Sequence, residues 1–236
     1  MKHAPPAPPE RGTRDGLAYA LFLPEREPAA GVVILHGAGS AKESHFDFAR
    51  GCREAGLAAL AYDARGHGRS DGAFGPDAVE DALAMCELVR SYAPEVALRG
   101  SSLGASCAIH AAARDRGIAA VVAISPAPED RLLRMLRSEQ PIEFRVDRQT
   151  VARWLESLDL YEAVGQLGPE TALLLLHARG DEQVPYTVSE DLYAAAHEPK
   201  RLLLLPGGHH RSVQHDLELQ AVSWRWIDRA VRRRAA

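Results

Sequence analysis

Cysteine is scarce in this chain: three in 236 residues, at positions 52, 86 and 107. The count is odd, the spacing is wide and no Cys-x-x-Cys pair occurs, which argues against a disulfide framework or a zinc site. Each cysteine instead suits the buried face of a helix in a protein from a reducing compartment. Excess charge of one sign is lacking as well. A net charge of −4 leaves no basic footprint for nucleic acid or an anionic membrane. The arginines at 232–234 read as a solvated end that complements a helix dipole. No apolar run approaches the length of a membrane span. The proline-rich opening, Met1 to Gly12, has no apolar segment of the kind a secretory signal carries. It reads as a tail over 1–12, ahead of one domain over 13–236. The expectation is a cytoplasmic protein without nucleic-acid or membrane partners; its oligomeric state is not legible.

What is present is an ordinary globular composition, 46% hydrophobic and 25% charged, laid out as alternating elements. Short apolar runs at 17–23, 32–35, 57–62, 96–99, 119–124, 172–177 and 201–205 read as strands. Stretches of helical spacing separate most of them, at 44–55, 76–90, 106–114, 186–196 and 214–232. Strands that are apolar throughout imply burial on both faces, hence a mostly parallel sheet between helical layers. In such a sheet ligands bind beyond the carboxyl ends of the strands. His36, Asp63, Ser102, Ser125, Asp181 and the His209-His210 pair all fall just past such an end.

The organising stretch is Val96 to Ser106, in which an apolar run breaks into Gly100-Ser101-Ser102-Leu103-Gly104 and continues as a helix. Strand, sharp turn and helix are the context that a Gly-x-Ser-x-Gly nucleophile elbow needs. The glycines allow close approach of strand and helix, and the turn exposes the Ser102 hydroxyl beside the first helical N–H groups. A serine hydroxyl is a weak nucleophile unless a base takes its proton, and a histidine base needs a carboxylate to hold its tautomer. Asp181 is the preferred carboxylate over Glu182, Asp159 and Asp216, because it follows Gly180 at a strand end. His209 and His210 are both placed to be the base. The loop His36-Gly37-Ala38-Gly39 can offer the N–H of Ala38 to join that of Leu103 as an oxyanion hole. His36 itself reads as a residue that pins this loop.

These motifs, together with Asp63-Ala64-Arg65-Gly66-His67-Gly68-Arg69-Ser70-Asp71-Gly72, resemble the α/β-hydrolase fold superfamily. The likeness is to its serine-hydrolase branch of monoacylglycerol lipases and carboxylesterases, and it runs from about Val32 to Trp226. The resemblance implies an eight-stranded, mostly parallel sheet and a Ser102–His210–Asp181 triad with Ala38 and Leu103 N–H donors. The fourth place of a Gly-Gly-x-His turn selects His210 over His209, and Arg65 and His67 become architectural. It further implies cleavage of small carboxylic esters through an acyl-enzyme, with a small-molecule ester as partner and no cofactor or metal. A thioesterase, an amidase or peptidase, a perhydrolase, or a non-catalytic binder on the same fold are the alternatives. The helical insertion over 126–168 is short for a lid. Its apolar residues either pack on the core or form a small cap, with Phe144 and Trp154 as candidates for the substrate pocket. Its arginines either select an acidic substrate or face solvent.

Overall fold

The computed structural model describes residues 7–139 and 141–235. The chain runs β1 (Glu10–Arg14), β2 (Leu17–Phe22), β3 (Gly31–Leu35), α1 (Phe46–Glu54), β4 (Ala58–Tyr62) and α2 (Ala78–Arg90). It continues with β5 (Val96–Ser101), α3 (Leu103–Arg114), β6 (Ile118–Ile124), α4 (Glu129–Arg137), α5 (Arg148–Leu155) and α6 (Leu160–Gly165). The last elements are β7 (Ala172–Ala178), α7 (Thr187–Ala195), β8 (Lys200–Leu205), α8 (Ser212–His215) and α9 (Leu217–Ala235). The strands form one eight-stranded sheet in the order β1-β2-β4-β3-β5-β6-β7-β8. The β1–β2 and β2–β4 pairs are antiparallel and all the others parallel.

Strands β3 to β7 are buried along their whole length, as their largely apolar sequences require. The pleat divides their side chains between two cores. Val33, Leu98, Val121 and Leu175 meet α2, α3 and the insertion on one face. Val32, Ala97, Val122 and Leu174 meet α1, α8 and α9 on the other. The three cysteines are free and buried, one each in α1, α2 and α3. Among the described residues no helix is long and apolar enough to cross a membrane.

The order of strands reverses at β3, which has β4 on one side and β5 on the other. Chains leaving β3 and β5 therefore diverge, and the crevice between them opens above Leu35 and Gly100, which are paired in register. The loop at 36–40 and the turn at Ser102 sit on either side of that crevice.

Three sequence expectations change. The tail read as 1–12 ends before Glu10, because Glu10–Arg14 pair with β2; residues 1–6 lie outside the described residues. A polar edge strand gains its stability from backbone bonding, so it has no apolar pattern to announce it. The helix read as 214–232 is two, broken at Asp216, whose carboxylate accepts from Leu219 N–H and starts α9. The solvated end read at 232–234 holds for Arg232 and Arg233, which are exposed, but not for Arg234, which is half-buried and pairs with Glu95; Arg232 pairs with Asp228 one turn back and Arg233 donates to Pro169 O.

Candidate active site

Ser102 joins β5 to α3 with φ +52° and ψ −119°, a conformation that costs a non-glycine residue ~1–3 kcal/mol. The surroundings impose it. Ser102 N–H donates to Ile124 O at 2.8 Å, and its carbonyl caps the start of α3 by accepting from Ala105 and Ser106. Two glycines make room. A Cβ on Gly104 would stand 2.5 Å from the carbonyls of Leu35 and His36, and one on Gly100 would collide with the Gly104 carbonyl. The hydroxyl is thereby lifted off the sheet at the positive end of a 12-residue helix.

Asp181 lies in the turn after β7 with its side chain wholly buried. Its Oδ1 accepts from the N–H groups of Gln183 and Val184 at 2.9 and 2.8 Å. His210, in the turn after β8, donates Nδ1–H to Oδ2 at 2.8 Å. Burial alone would raise the Asp181 carboxyl; hydrogen bonds from His177, His210 and Val184 outweigh it and hold the group far below the usual carboxylate range. His209 points elsewhere: it is exposed, and its Nδ1 accepts from Arg211 N–H.

Ser102 and His210 line one cavity of about 130 Å³, together with Gly37, Ala38, Ser40, Leu132, Met135, Gln183, Arg211 and Gln214. Among the described residues the Ser102 hydroxyl makes no hydrogen bond, so the last link to His210 is open. Such links are often long before substrate binds. The N–H groups of Ala38 and Leu103 likewise have no partner among the described residues. The 36–39 loop lies against the serine, since a Cβ on Gly37 would stand 3.4 Å from Ser102 Cβ.

Two histidines pin that loop. His36 donates Nδ1–H to Gly37 O at 2.8 Å and accepts Ala64 N–H on Nε2 at 3.0 Å. His67 donates Nδ1–H to Arg65 O and accepts Gly39 N–H on Nε2 at 3.2 Å. Both rings must be neutral to accept, and burial lowers both, His67 to about 4. Beneath them Asp63 is wholly buried and holds the Lys42 ammonium at 2.5 Å and the N–H groups of Lys42 and Arg69 at 2.8 Å. Arg65 forks onto Asp81. The 63–72 turn is thus a scaffold for the loop.

Phe144 and Trp154 do not line the cavity, which corrects their assignment to the pocket. Phe144 stacks on His67 at 4.1 Å, and Trp154 meets Phe74 edge-on. Val151 and Leu155 of α5 are buried in the core, so that helix packs inward, and the cavity wall comes from Leu132 and Met135 of α4. Of the insertion's arginines, Arg134 and Arg137 face solvent in exposed pairs with Asp130 and Glu156, and Arg145 donates to Ser70 O. Sequence reasoning also missed Arg99, which follows the apolar run Val96 to Leu98 in β5. It is 1% exposed, lies 4.1 Å above the Phe48 ring and donates to His45 Nδ1 and Gln214 O. No local signal distinguishes it from an edge residue, because its partners come from distant segments.

A family model described as Serine aminopeptidase, S33, matches residues 26–153, more than half of the chain. The uncharacterized protein Rv2307c of Mycobacterium tuberculosis is 29% identical over 211 residues, covering 84% of this chain and 70% of its own. The structure of Est1E from Butyrivibrio proteoclasticus with ferulic acid bound superposes with a TM-score of 0.76 at 21% identity. That match covers 96% of this chain and 100% of the other. A monoacylglycerol lipase from Paleococcus ferrophilus matches at 0.70 and 23%, over 92% and 98%. The two solved structures share the fold of this sheet and its helices, and the family model covers the crevice loop, the scaffold turn and the elbow. By that match the chain belongs to the serine aminopeptidase S33 family, within the α/β-hydrolase superfamily.

Proposed function

We propose that the protein is a serine hydrolase of small carboxylic esters, acting through an acyl-enzyme on Ser102. The observation that carries this reading is the buried Asp181–His210 pair opening into the cavity that Ser102 lines. Ser102 Oγ attacks the ester carbonyl carbon while its proton passes to His210 Nε2. The oxyanion is held by the N–H groups of Ala38 and Leu103, two fixed donors typically worth ~3 kcal/mol each to the barrier. His210 then gives its proton to the leaving alcohol oxygen as the carbon–oxygen bond breaks. Water enters, loses a proton to His210 and attacks the acyl carbon, and Ser102 leaves with that proton restored. Asp181 stays ionised throughout, orienting the ring and stabilising its cationic form.

The cavity supports a small acyl group: Leu132 and Met135 supply an apolar wall, and Ser40, Gln183 and Gln214 a polar one. The test is hydrolysis of p-nitrophenyl acetate, butyrate and octanoate beside matched thioesters and aryl anilides, for the wild type and Ser102→Ala. Turnover of the short esters that is lost in Ser102→Ala supports the reading. Absence of turnover on all three classes, or turnover that survives the substitution, contradicts it.

A further inference from the structure

Asp181 has one imidazole more than a Ser-His-Asp triad uses. His177 is the sole polar residue of β7, follows four leucines and is wholly buried. Its Nε2 stands 3.2 Å from Asp181 Oδ2 and 3.0 Å from Val184 O. Both neighbours only accept, so Nε2 carries a proton. On the opposite side Nδ1 is 2.7 Å from the hydroxyl of Ser189 in α7, a serine with no exposure to solvent. In a neutral ring that nitrogen accepts, so Ser189 donates to it. The tautomer of His177 is fixed from both ends.

We propose that His177 is a positioning residue for the site: its Nε2–H, directed to Val184 O at 3.0 Å and standing 3.2 Å from Asp181 Oδ2, lies beside the oxygen that takes His210 Nδ1–H and fixes the aim of the carboxylate. This rests on the Ser102–His210–Asp181 reading above. The carboxylate is then enclosed by two backbone N–H groups on Oδ1, by His210 Nδ1–H at 2.8 Å from Oδ2 and 3.0 Å from Oδ1, and by His177 Nε2 at 3.2 Å from Oδ2. Its rotation is blocked, and part of its charge is drawn away from His210. Removing the His177 donor returns that charge to Oδ2 and strengthens its attraction for the imidazolium formed at His210 during the reaction. The other groups around His210 stay the same. These are Glu182, whose Oε2 accepts His210 N–H at 3.1 Å, its neighbours His209 and Arg211, and Ser102, Gln183 and Gln214 on the cavity wall.

The experiment compares the full-length wild type with His177→Leu, His177→Gln and Ser189→Ala. It measures kcat, KM and the pH profile of kcat/KM on p-nitrophenyl acetate, with the active fraction counted by fluorophosphonate labelling of Ser102. His177→Leu is expected to lower kcat about tenfold with KM within about twofold, and to move the acid limb up by about half a pH unit. His177→Gln, whose amide N–H reaches near the Nε2 position, is expected to restore most of both. Ser189→Ala removes the donor that holds Nδ1, loosens the ring and is expected to shift the limb in the same direction, by less. If His177→Leu does not fold, the other two variants decide. An acid limb that is unmoved in every folded variant, once rates are corrected for active fraction, overturns the proposal. A wild type that neither turns over ester nor labels at Ser102 overturns the hydrolase reading instead.

Discussion

His210 Nδ1 donates to Asp181 Oδ2 at 2.8 Å, from a ring whose side chain is 9% exposed to a carboxylate that is fully enclosed. An ion or dipole pair shielded in this way keeps its geometry, because water cannot compete for either partner. Asp181→Asn sets an amide group against two imidazole N–H donors, which forces a change of tautomer on one ring. It is expected to lower kcat on a short ester by about 10⁴ while the circular dichroism spectrum stays that of the wild type.

The same carboxylate makes stability depend on pH. Its pKa in the folded chain lies below the ordinary value of 3.8, so its contribution is complete above that value and declines as pH falls through it. Melting temperature measured from pH 5 to pH 2 is expected to drop more steeply in the wild type than in Asp181→Asn.

His67 acts in a higher window. Burial, reinforced by His36, lowers it from 6.5 to about 4. Below 6.5 the unfolded chain takes up a proton that the folded one refuses, so stability falls with pH until about 4. His67→Phe keeps the stack on Phe144 but removes the acceptor for Gly39 N–H. The variant is expected to flatten the slope of melting temperature between pH 6.5 and 4, and to lower kcat/KM roughly tenfold by loosening the loop that carries Ala38.

Two glycines separate fold from chemistry. A methyl group on Gly104 meets the Leu35 and His36 carbonyls at 2.5 Å, and backbone must move. Gly104→Ala is expected to cost ~3 kcal/mol in urea denaturation. On Gly37 the nearest atoms, Ser101 O and Ser102 Cβ, stand at 3.4 Å, within ordinary contact. Gly37→Ala is expected to cost less than ~1 kcal/mol yet reduce kcat/KM, because the methyl group occupies space beside the nucleophile.

Met135 lines the apolar side of the cavity beside Leu132. Met135→Ala is expected to move the preferred p-nitrophenyl ester toward longer acyl chains, and Met135→Trp toward acetate, as read from kcat/KM across the series. Each methylene is worth ~0.8 kcal/mol where it gains burial.

The sheet was legible because its strands are buried on both faces and so are written as unbroken apolar runs, Val32 to Leu35 and Ala172 to Leu176 among them. Ser102, Asp181 and the His209-His210 pair were legible as positions because parallel topology gathers strand ends at one edge. Besides Arg99, three features stayed hidden. β1 depends on edge pairing, which leaves no apolar period. Phe144 and Trp154 look like pocket residues until His67 and Phe74 are seen to occupy their faces. His177 sits in a leucine strand, and its meaning comes from Asp181 four residues on and Ser189 in another element.

The most direct measurement is the rate of fluorophosphonate adduct formation, followed by intact mass and peptide mapping. One adduct per chain is expected, on Ser102, absent in Ser102→Ala and slowed by at least about 10³ in His210→Ala but much less in His209→Ala. Labelling at the wild-type rate in His210→Ala, or an adduct on any other residue, would contradict the account.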